Sequence, residues 1–253
     1  MSSQPLLRRA LGAEVAGVLL DELCWSRAPN VSLGLAEGVG PAHGRAAPTV
    51  AASSGARVLE VLLPMPSLIH ATGPPGIGKS TLAALYADRH PGVLNLDIDR
   101  LHVLVGGWQD PAQDTHTIVR PIALAVTRTH LVGGRDVIVP QTFAQLANIE
   151  ALEQVAEQAH AAFFEVILVD EQDASIERFH GRQDDSPWSQ HNRERVAQRG
   201  GAEWLSDLYQ QLEVVAAHRP SALVVRSESG AIEETYASIA QALAELQTIA
   251  DQH

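Results

Sequence analysis

The stretch Gly73-Pro-Pro-Gly-Ile-Gly-Lys79-Ser80 decides how this chain folds. It matches the complete pattern Gly-x4-Gly-Lys-Ser, in which glycines let backbone N–H groups turn inward around a phosphate group. The apolar residues 68–71 before it predict a buried strand, and residues 80–87 predict a helix whose N-terminus faces the phosphate. This strand–loop–helix context separates a phosphate-binding loop, here called the P-loop, from a chance glycine-rich turn.

The P-loop predicts a bound nucleotide, with ATP and Mg²⁺ as the expected cofactors. Lys79 is expected to reach the β- and γ-phosphates, and the Ser80 hydroxyl is expected to bind Mg²⁺. The residues expected to contact the nucleotide are Gly73, Pro74, Pro75, Gly76, Ile77, Gly78, Lys79, Ser80 and Thr81.

Strand and helix patterns alternate on both sides of the P-loop. Strands are predicted at residues 68–71, 93–97, 136–139, 164–169 and 223–225. Helices are predicted at residues 80–87, 115–131, 149–161, 174–182 and 232–249, with Pro121 a kink or boundary in the second of them. This order predicts an α/β fold, a three-layer α/β/α sandwich around a mainly parallel five-stranded sheet, plus a helical lid, with ligands beyond the carboxyl ends of the strands.

The N-terminal part of the chain differs in composition from the rest. Residues 5–24 have a helical pattern, whereas residues 26–56 are rich in proline, glycine, alanine and serine. Such a segment buries too little apolar surface to pack as a core. We therefore divide the chain into an N-terminal helix with a flexible low-complexity extension, residues 1–62, and a P-loop domain, residues 63–253.

Composition excludes several classes of partner. The net charge is -12 over 253 residues, so the chain has no overall field that attracts nucleic acid or an anionic membrane. No apolar run reaches the roughly 18 to 20 residues that span a bilayer. The single cysteine, Cys24, allows no internal disulfide. We expect a cytoplasmic protein with a small-molecule substrate, whose oligomeric state stays open.

Two aspartates follow the second predicted strand. Asp97 and Asp99 lie 18 and 20 residues beyond Lys79, in Leu-Asp-Ile-Asp-Arg-Leu. Alternation along an extended chain would place both side chains on one side of the strand. One carboxylate can then organise the metal, and the other can take a proton from an attacking hydroxyl. Alternatively, Asp99 caps a helix that begins at Arg100.

The third predicted strand carries no acid at its carboxyl end. P-loop motors and GTPases use an acidic residue in that region to hold Mg²⁺. Here Asp136 stands at the start of the strand and Gln141 follows its end. The nearest acids at the ligand edge are thus Asp97 and Asp99. This favours transfer to a bound hydroxyl over ATP-driven motion.

Basic residues cluster after the fourth predicted strand, at Arg178, Arg182, Arg193, Arg195 and Arg199. The first two are four residues apart and share a helix face. Arginines that close over a transferring phosphoryl group stabilise its charge. The polar segment between the two arginine groups predicts a mobile lid at residues 178–204. The alternative is a solvated helix face with salt bridges.

Two further residues are candidates for acceptor binding. Trp108 follows Gly106-Gly107 near the predicted active edge, where it could wall an acceptor pocket or pack at a turn. Arg120 lies on the next predicted helix and could bind an anionic acceptor or face solvent.

The P-loop, the Leu-Asp-Ile-Asp-Arg-Leu segment and the pair Arg178 and Arg182 resemble the P-loop kinase group within the P-loop NTPases. The resemblance covers residues 66–250. It is closest to the zeta-toxin and chloramphenicol-phosphotransferase-like, AAA-type ATP-binding proteins of bacteria. It implies that Asp99 is the base, that Asp97 orders Mg²⁺ or the acceptor, and that Gln141 contacts the acceptor. Zeta toxins generally carry an acid at the position of Gln141, so this residue argues against their sugar-nucleotide acceptor.

The first hypothesis is an ATP-dependent small-molecule kinase that transfers a phosphoryl group to an alcohol. In it Lys79, Asp99, Arg178 and Arg182 serve catalysis, Ser80 and Asp97 hold metal, and Asp99, Trp108, Arg120 and Gln141 form the acceptor site. The alternatives are a nucleotide-binding ATPase or switch without an organic acceptor, a zeta-toxin-like enzyme, and a polynucleotide kinase. The acidity of the chain argues against the last of these.

Overall fold

The computed structural model describes residues 65–110, 112–181 and 186–250. The extension predicted for residues 1–62 and the lid residue Arg182 lie outside these described residues.

A five-stranded sheet forms the middle of the domain, in the order β2-β3-β1-β4-β5. All four neighbouring pairs are parallel. The strands are β1 Ser67–Thr72, β2 Leu94–Asn95, β3 Val137–Pro140, β4 Ala162–Val169 and β5 Leu223–Arg226. Because all strands run the same way, their carboxyl ends and the loops after them meet at one edge.

Helices cover both faces of the sheet. In chain order they are α1 Lys79–Arg89, α2 Asp99–His102, α3 Thr115–Val132, α4 Leu146–Gln158, α5 Gln172–His180, α6 Pro187–Gln198, α7 Ala202–Ala217 and α8 Ile232–Ala250. Helices α3 and α4 pack on one face of the sheet, and α1 and α8 on the other. The predicted three-layer sandwich is confirmed.

Neighbouring residues of β1 supply both layers of the core. Leu68 packs with α3 and α4, whereas Ile69 packs with α1 and α8. Successive side chains of a strand point to opposite faces, so a strand buried on both sides is apolar without alternation. All four residues of β3 are buried for the same reason. The two layers hold the sheet rigid beneath its ligand edge.

The lid region is helical, as predicted, and it contains two helices whose bounds the sequence did not give. Helix α6 begins at Pro187, and the Ser186 hydroxyl accepts a hydrogen bond from the Ser189 N–H. Proline at the first helical position and serine before it favour the start of a helix. In a polar segment the same residues also indicate a loop. Helix α7 packs Trp204 and Leu208 against α5 and α6, in a small separate core.

Several element boundaries also differ from the prediction. Strand β2 ends at Asn95, and the helix expected from Arg100 begins one residue earlier, at Asp99. Pro121 does not end α3, which continues from Thr115 to Val132. A proline near the first turns of a helix removes only one hydrogen bond, and α3 is anchored on the core along its length.

Candidate active site

The P-loop runs from the end of β1 to the start of α1, and its backbone turns through glycines with positive φ. Gly76 has φ 87° and Gly78 has φ 106°, values that residues with a side chain rarely adopt. The Lys79 ammonium group folds back over the loop and donates hydrogen bonds to the carbonyls of Gly73 and Pro74, both at 2.9 Å. The loop thus combines exposed N–H groups with a positive charge, as an anion cradle requires.

Two of the glycines are also required by close packing. A Cβ on Gly76 would lie 2.7 Å from the Phe179 amide nitrogen and 2.8 Å from the Ser175 carbonyl oxygen. A Cβ on Gly73 would lie 2.5 Å from the Leu168 carbonyl oxygen. The P-loop is therefore seated directly on α5 and on the end of β4.

A cavity of about 370 Å³ opens between the P-loop and the lid helices. Residues of both predicted subsites line it, including Lys79, Ser80, Asp97, Asp99, Gln141 and Arg193. These side chains come from four separate segments of the chain, and the parallel sheet brings the segments to one edge.

The two aspartates stand at the start of α2, because the chain leaves the sheet after Asn95. Asp99 is the first residue of α2, and its amide donates to Asp97 Oδ1 at 3.2 Å. The sequence suggested Asp99 as a possible cap of this helix. In the structure, Asp97 instead supports the helix start. Asp97 also lies 3.6 Å from the Arg100 guanidinium. Asp97 and Asp99 nevertheless both line the cavity. The start of the helix brings them to one side, which alternation along a strand was expected to do.

Gln141 lies at the carboxyl end of β3 and connects the two halves of the cavity. Its Nε2 donates to Asp99 Oδ1 at 3.4 Å. The next residue, Thr142, donates from Oγ1 to the Gly73 carbonyl at 2.8 Å. Asp136 lies at the opposite end of β3, where its carboxylate accepts from the Ser67 amide at 2.7 Å. The acid of this strand therefore points away from the ligand edge.

The arginines of the lid region divide between two places. Arg178 donates to Asp170 Oδ2 at 2.6 Å and to the Ser227 carbonyl at 2.9 Å, so it ties the ends of β4 and β5 together. Arg193 on α6 lines the cavity. The structure therefore brings Arg193 to the site, whereas it places Arg178 in a half-buried ion pair beside the P-loop.

The residues that line the cavity in the described part of the chain do not include Trp108 or Arg120. Trp108 packs behind the cavity wall, with its ring centroid 5.9 Å from that of Trp188 and 5.3 Å from that of His191. Arg120 is half-buried on α3, and burial lowers the pKa of its guanidinium. Trp188, which the sequence did not single out, lines the cavity where Trp108 was expected.

Buried histidines support Trp188 from below. The His102 ring stacks on the Trp188 indole with centroids 4.2 Å apart, and His116 meets His102 edge-on at 4.6 Å. His102 Nδ1 is 2.8 Å from the Thr115 hydroxyl. Burial lowers the pKa of both His102 and His116 to about 4, and the positive charge of Arg195 acts in the same direction. The lid thus rests on a neutral aromatic cluster at neutral pH.

The donor set fits Mg²⁺ as well as a nucleotide. The Ser80 hydroxyl and the Asp97 carboxylate line the same cavity as Lys79, and hard oxygen ligands are those that Mg²⁺ prefers. The Lys79 ammonium group and the positive-φ glycines of the P-loop supply the cradle that the nucleotide phosphates need.

Within the described residues, no helix combines the length and the apolar character needed to cross a membrane. No curated protein matches the chain. Similar solved structures include a gluconokinase from Sinorhizobium meliloti 1021, at 20% sequence identity over 73% of this chain and 95% of that chain, with a TM-score of 0.47. They also include a shikimate kinase from Bacteroides thetaiotaomicron, at 17% identity over 70% of this chain and 98% of that chain, with a TM-score of 0.48.

A family model described as an AAA domain matches residues 68–204, a span of 137 of the 253 residues. The match begins in β1 and ends in α7, so it includes the P-loop, both aspartates, Gln141 and the described lid helix. It confirms the AAA-type assignment that the P-loop predicts. The chain therefore belongs to the AAA domain family.

Proposed function

We propose that this protein is an ATP-dependent kinase that transfers the γ-phosphoryl group to a hydroxyl of a small molecule. The observation that carries the proposal is the composition of one cavity. Lys79 and Ser80 of the P-loop, Asp99, and Arg193 of the lid all line it. A phosphate cradle, a base and a cation for the transferred group are the parts that phosphoryl transfer needs.

Asp99 is the proposed base. Its carboxylate takes the proton of the acceptor hydroxyl while the acceptor oxygen forms a bond to the γ-phosphorus. The bond between the γ-phosphorus and the oxygen bridging to the β-phosphate breaks, and ADP leaves with that electron pair. The Gln141 amide donates to Asp99 Oδ1 and so orients the carboxylate. The proton then passes from Asp99 to solvent.

Lys79 and Arg193 stabilise the charge that spreads over the transferred group. Lys79 is held at the loop by two carbonyls, whereas Arg193 comes from the lid helix α6. A lid that closes also excludes water, which otherwise competes with the acceptor hydroxyl. Ser80 and Asp97 would hold Mg²⁺, which would supply further positive charge to stabilise the phosphates.

The acceptor is expected to be a small molecule. Beside the phosphate cradle, the cavity is walled by apolar and aromatic side chains that include Val103, Trp188 and Val196. A cavity of about 370 Å³ is at the lower end of the size range of small-molecule sites. The acidic net charge of -12 does not suit a polyanionic acceptor such as a nucleic-acid end.

A screen of metabolites and antibiotics with labelled ATP tests the proposal. The expected result is ATP-dependent phosphorylation of at least one hydroxyl compound, lost in Asp99→Asn. An Arg128→Gln variant, altered on the exposed side of α3, is the control for handling and folding. ATP hydrolysis that no compound diverts into a phosphorylated product would instead identify an ATPase or switch.

A further inference from the structure

Two ionisable residues outside the proposed machinery face each other in the centre of the sheet. His70 on β1 and Glu165 on β4 are register partners, with 0% and 6% of their surface exposed. His70 Nδ1 lies 3.6 Å from Glu165 Oε1. Buried charges are costly, and apolar replacements are often as stable, so stability alone is a weak reason for this pair.

The Glu165 carboxylate is ionised in this position. Burial acts to raise its pKa, but the neighbouring His70 ring and the Arg219 guanidinium outweigh burial and hold the pKa below its usual value. Arg219 Nε donates to Glu165 Oε2 at 2.6 Å, and its Nη1 donates to Glu153 at 3.0 Å. Arg219 thereby fixes Glu165 from the outer side of the sheet, which leaves its other oxygen facing His70.

The other nitrogen of His70 acts on the active edge. His70 Nε2 is 3.0 Å from the Gln141 carbonyl oxygen. A carbonyl oxygen only accepts, so Nε2 carries the proton and donates it. The ring also packs on Phe143, with centroids 5.0 Å apart, so its orientation is set from two sides.

This hydrogen bond compensates for the end of strand β3. Pro140 pairs with Ala71 but has no N–H to give to the ladder. The Gln141 amide donates to the Ala71 carbonyl at 3.1 Å. The Gln141 carbonyl accepts from the His70 ring instead of from a neighbouring strand. His70 thus fixes the peptide from which the Gln141 side chain reaches Asp99.

We propose that His70, which packs on Phe143 and faces Glu165, is a positioning residue that fixes Gln141 and, through it, Asp99. The inference rests on the proposed function for its catalytic consequence only. A backbone fixed at Gln141 keeps the amide 3.4 Å from the Asp99 carboxylate and keeps Thr142 on the P-loop carbonyl of Gly73. Through Gln141 and Thr142, His70 therefore fixes the position of Asp99 relative to the P-loop.

The test compares three variants by NMR amide hydrogen exchange in the full chain. His70→Leu removes the donor, His70→Gln keeps an N–H at the same position of the side chain, and Ile138→Val loosens the neighbouring strand without touching this hydrogen bond. In His70→Leu, the Gln141 and Thr142 amides should exchange about tenfold faster, because the exit from β3 opens locally. His70→Gln should restore most of the protection, and Ile138→Val should not produce the local pattern.

Kinetics on an acceptor found by the screen give the second readout. His70→Leu should lower kcat about tenfold with the KM for ATP changed less than twofold, since a displaced base slows transfer without loosening the phosphate cradle. His70→Gln should recover most of kcat. Equal acceleration of exchange along the whole sheet, or unchanged exchange at Gln141, would overturn the positioning role. Absence of any phosphorylated acceptor would contradict the kinase proposal, while the exchange data would still decide the role of His70.

Discussion

The two halves of the cavity are built in different ways. The nucleotide half is the P-loop with the start of α1, residues 73–81, and it is continuous in sequence. The acceptor half combines α2, the segment after β3 and the lid helix α6, which are far apart in the chain. The first half depends on local backbone conformation, and the second depends on how distant elements pack. Substitutions should therefore act on rate and nucleotide binding in the first half, and on rate alone in the second.

The largest effect within the nucleotide half is expected at Lys79. Lys79→Ala removes the ammonium group expected to meet the β- and γ-phosphates, and should lower phosphoryl transfer about 10³-fold. Lys79 is the only lysine of the chain, so lysine-directed acylation reports on this side chain and the N-terminal amine alone. MgATP should protect Lys79 from acylation, as followed by mass spectrometry. Equal labelling with and without MgATP would contradict its proposed place on the phosphates.

The next effect concerns the histidines beneath the lid in the acceptor half. Burial lowers the pKa of His102 and His116 from 6.5 to about 4. The unfolded chain therefore takes up protons first as pH falls, and stability that is complete above about 6.5 is lost progressively down to about 4. Asp114, Asp99, His191 and Arg195 are the charged or titratable neighbours of the pair.

Urea unfolding at about pH 7 and about pH 5 measures this loss. The free energy of unfolding should fall by a few kcal/mol in the native chain. In His116→Phe, which keeps a ring and loses one titrating group, the fall should be clearly smaller. The same fall in both proteins would mean that other groups, such as the carboxylates, set the acid sensitivity.

A smaller effect is expected where the nucleotide half packs on α5. Gly76→Ala adds a Cβ at φ 87°, only 2.7 Å from the Phe179 amide nitrogen and 2.8 Å from the Ser175 carbonyl oxygen. Backbone strain of this kind costs about 1 to 3 kcal/mol, and the contact with α5 adds to it. Gly200→Ala is the matched control, because Gly200 has φ 112° with no atom within 4 Å of the added Cβ. Thermal unfolding should show the larger loss for Gly76→Ala, and equal losses would show that α5 gives way.

The smallest effect is expected in the lid. Arg193→Gln removes the guanidinium that lines the cavity from α6, and should lower kcat about tenfold with little change in ATP affinity. Arg178→Gln should instead lower stability, because it leaves Asp170 without its 2.6 Å partner. Steady-state kinetics and urea unfolding of both variants separate the two roles. A loss of kcat in Arg178→Gln without a loss of stability would return Arg178 to the role that the sequence suggested.

The same contrast explains what the sequence predicted. The P-loop and its flanking strand and helix are encoded by adjacent residues, so their existence and type followed from pattern alone. Asp97 and Asp99 were found because they are close in sequence and follow a strand. The short helix after them was expected with Asp99 as its cap, but in the structure the Asp97 carboxylate accepts from the Asp99 amide at its start.

The acceptor half was predicted less completely because its members meet only through packing. The sequence grouped the lid arginines, but which of them faces the cavity depends on the ion pair of Arg178 with Asp170. The bounds of helix α6 could not be predicted, because serine and proline such as Ser186 and Pro187 can start a helix as well as break one. The role of His70 depends on a cross-strand neighbour 95 positions away, Glu165, and on a proline in a third strand. No local pattern carries such a relation.

The most direct test of the account is the effect of Asp99→Asn on transfer and on nucleotide binding. Asparagine keeps the size of the side chain and cannot take the acceptor proton. With an acceptor from the screen, kcat should fall about 10²- to 10⁴-fold, while the Kd for MgATP by calorimetry changes less than about twofold. Vigorous ATP hydrolysis that needs no acceptor and is unchanged in Asp99→Asn would contradict the kinase proposal.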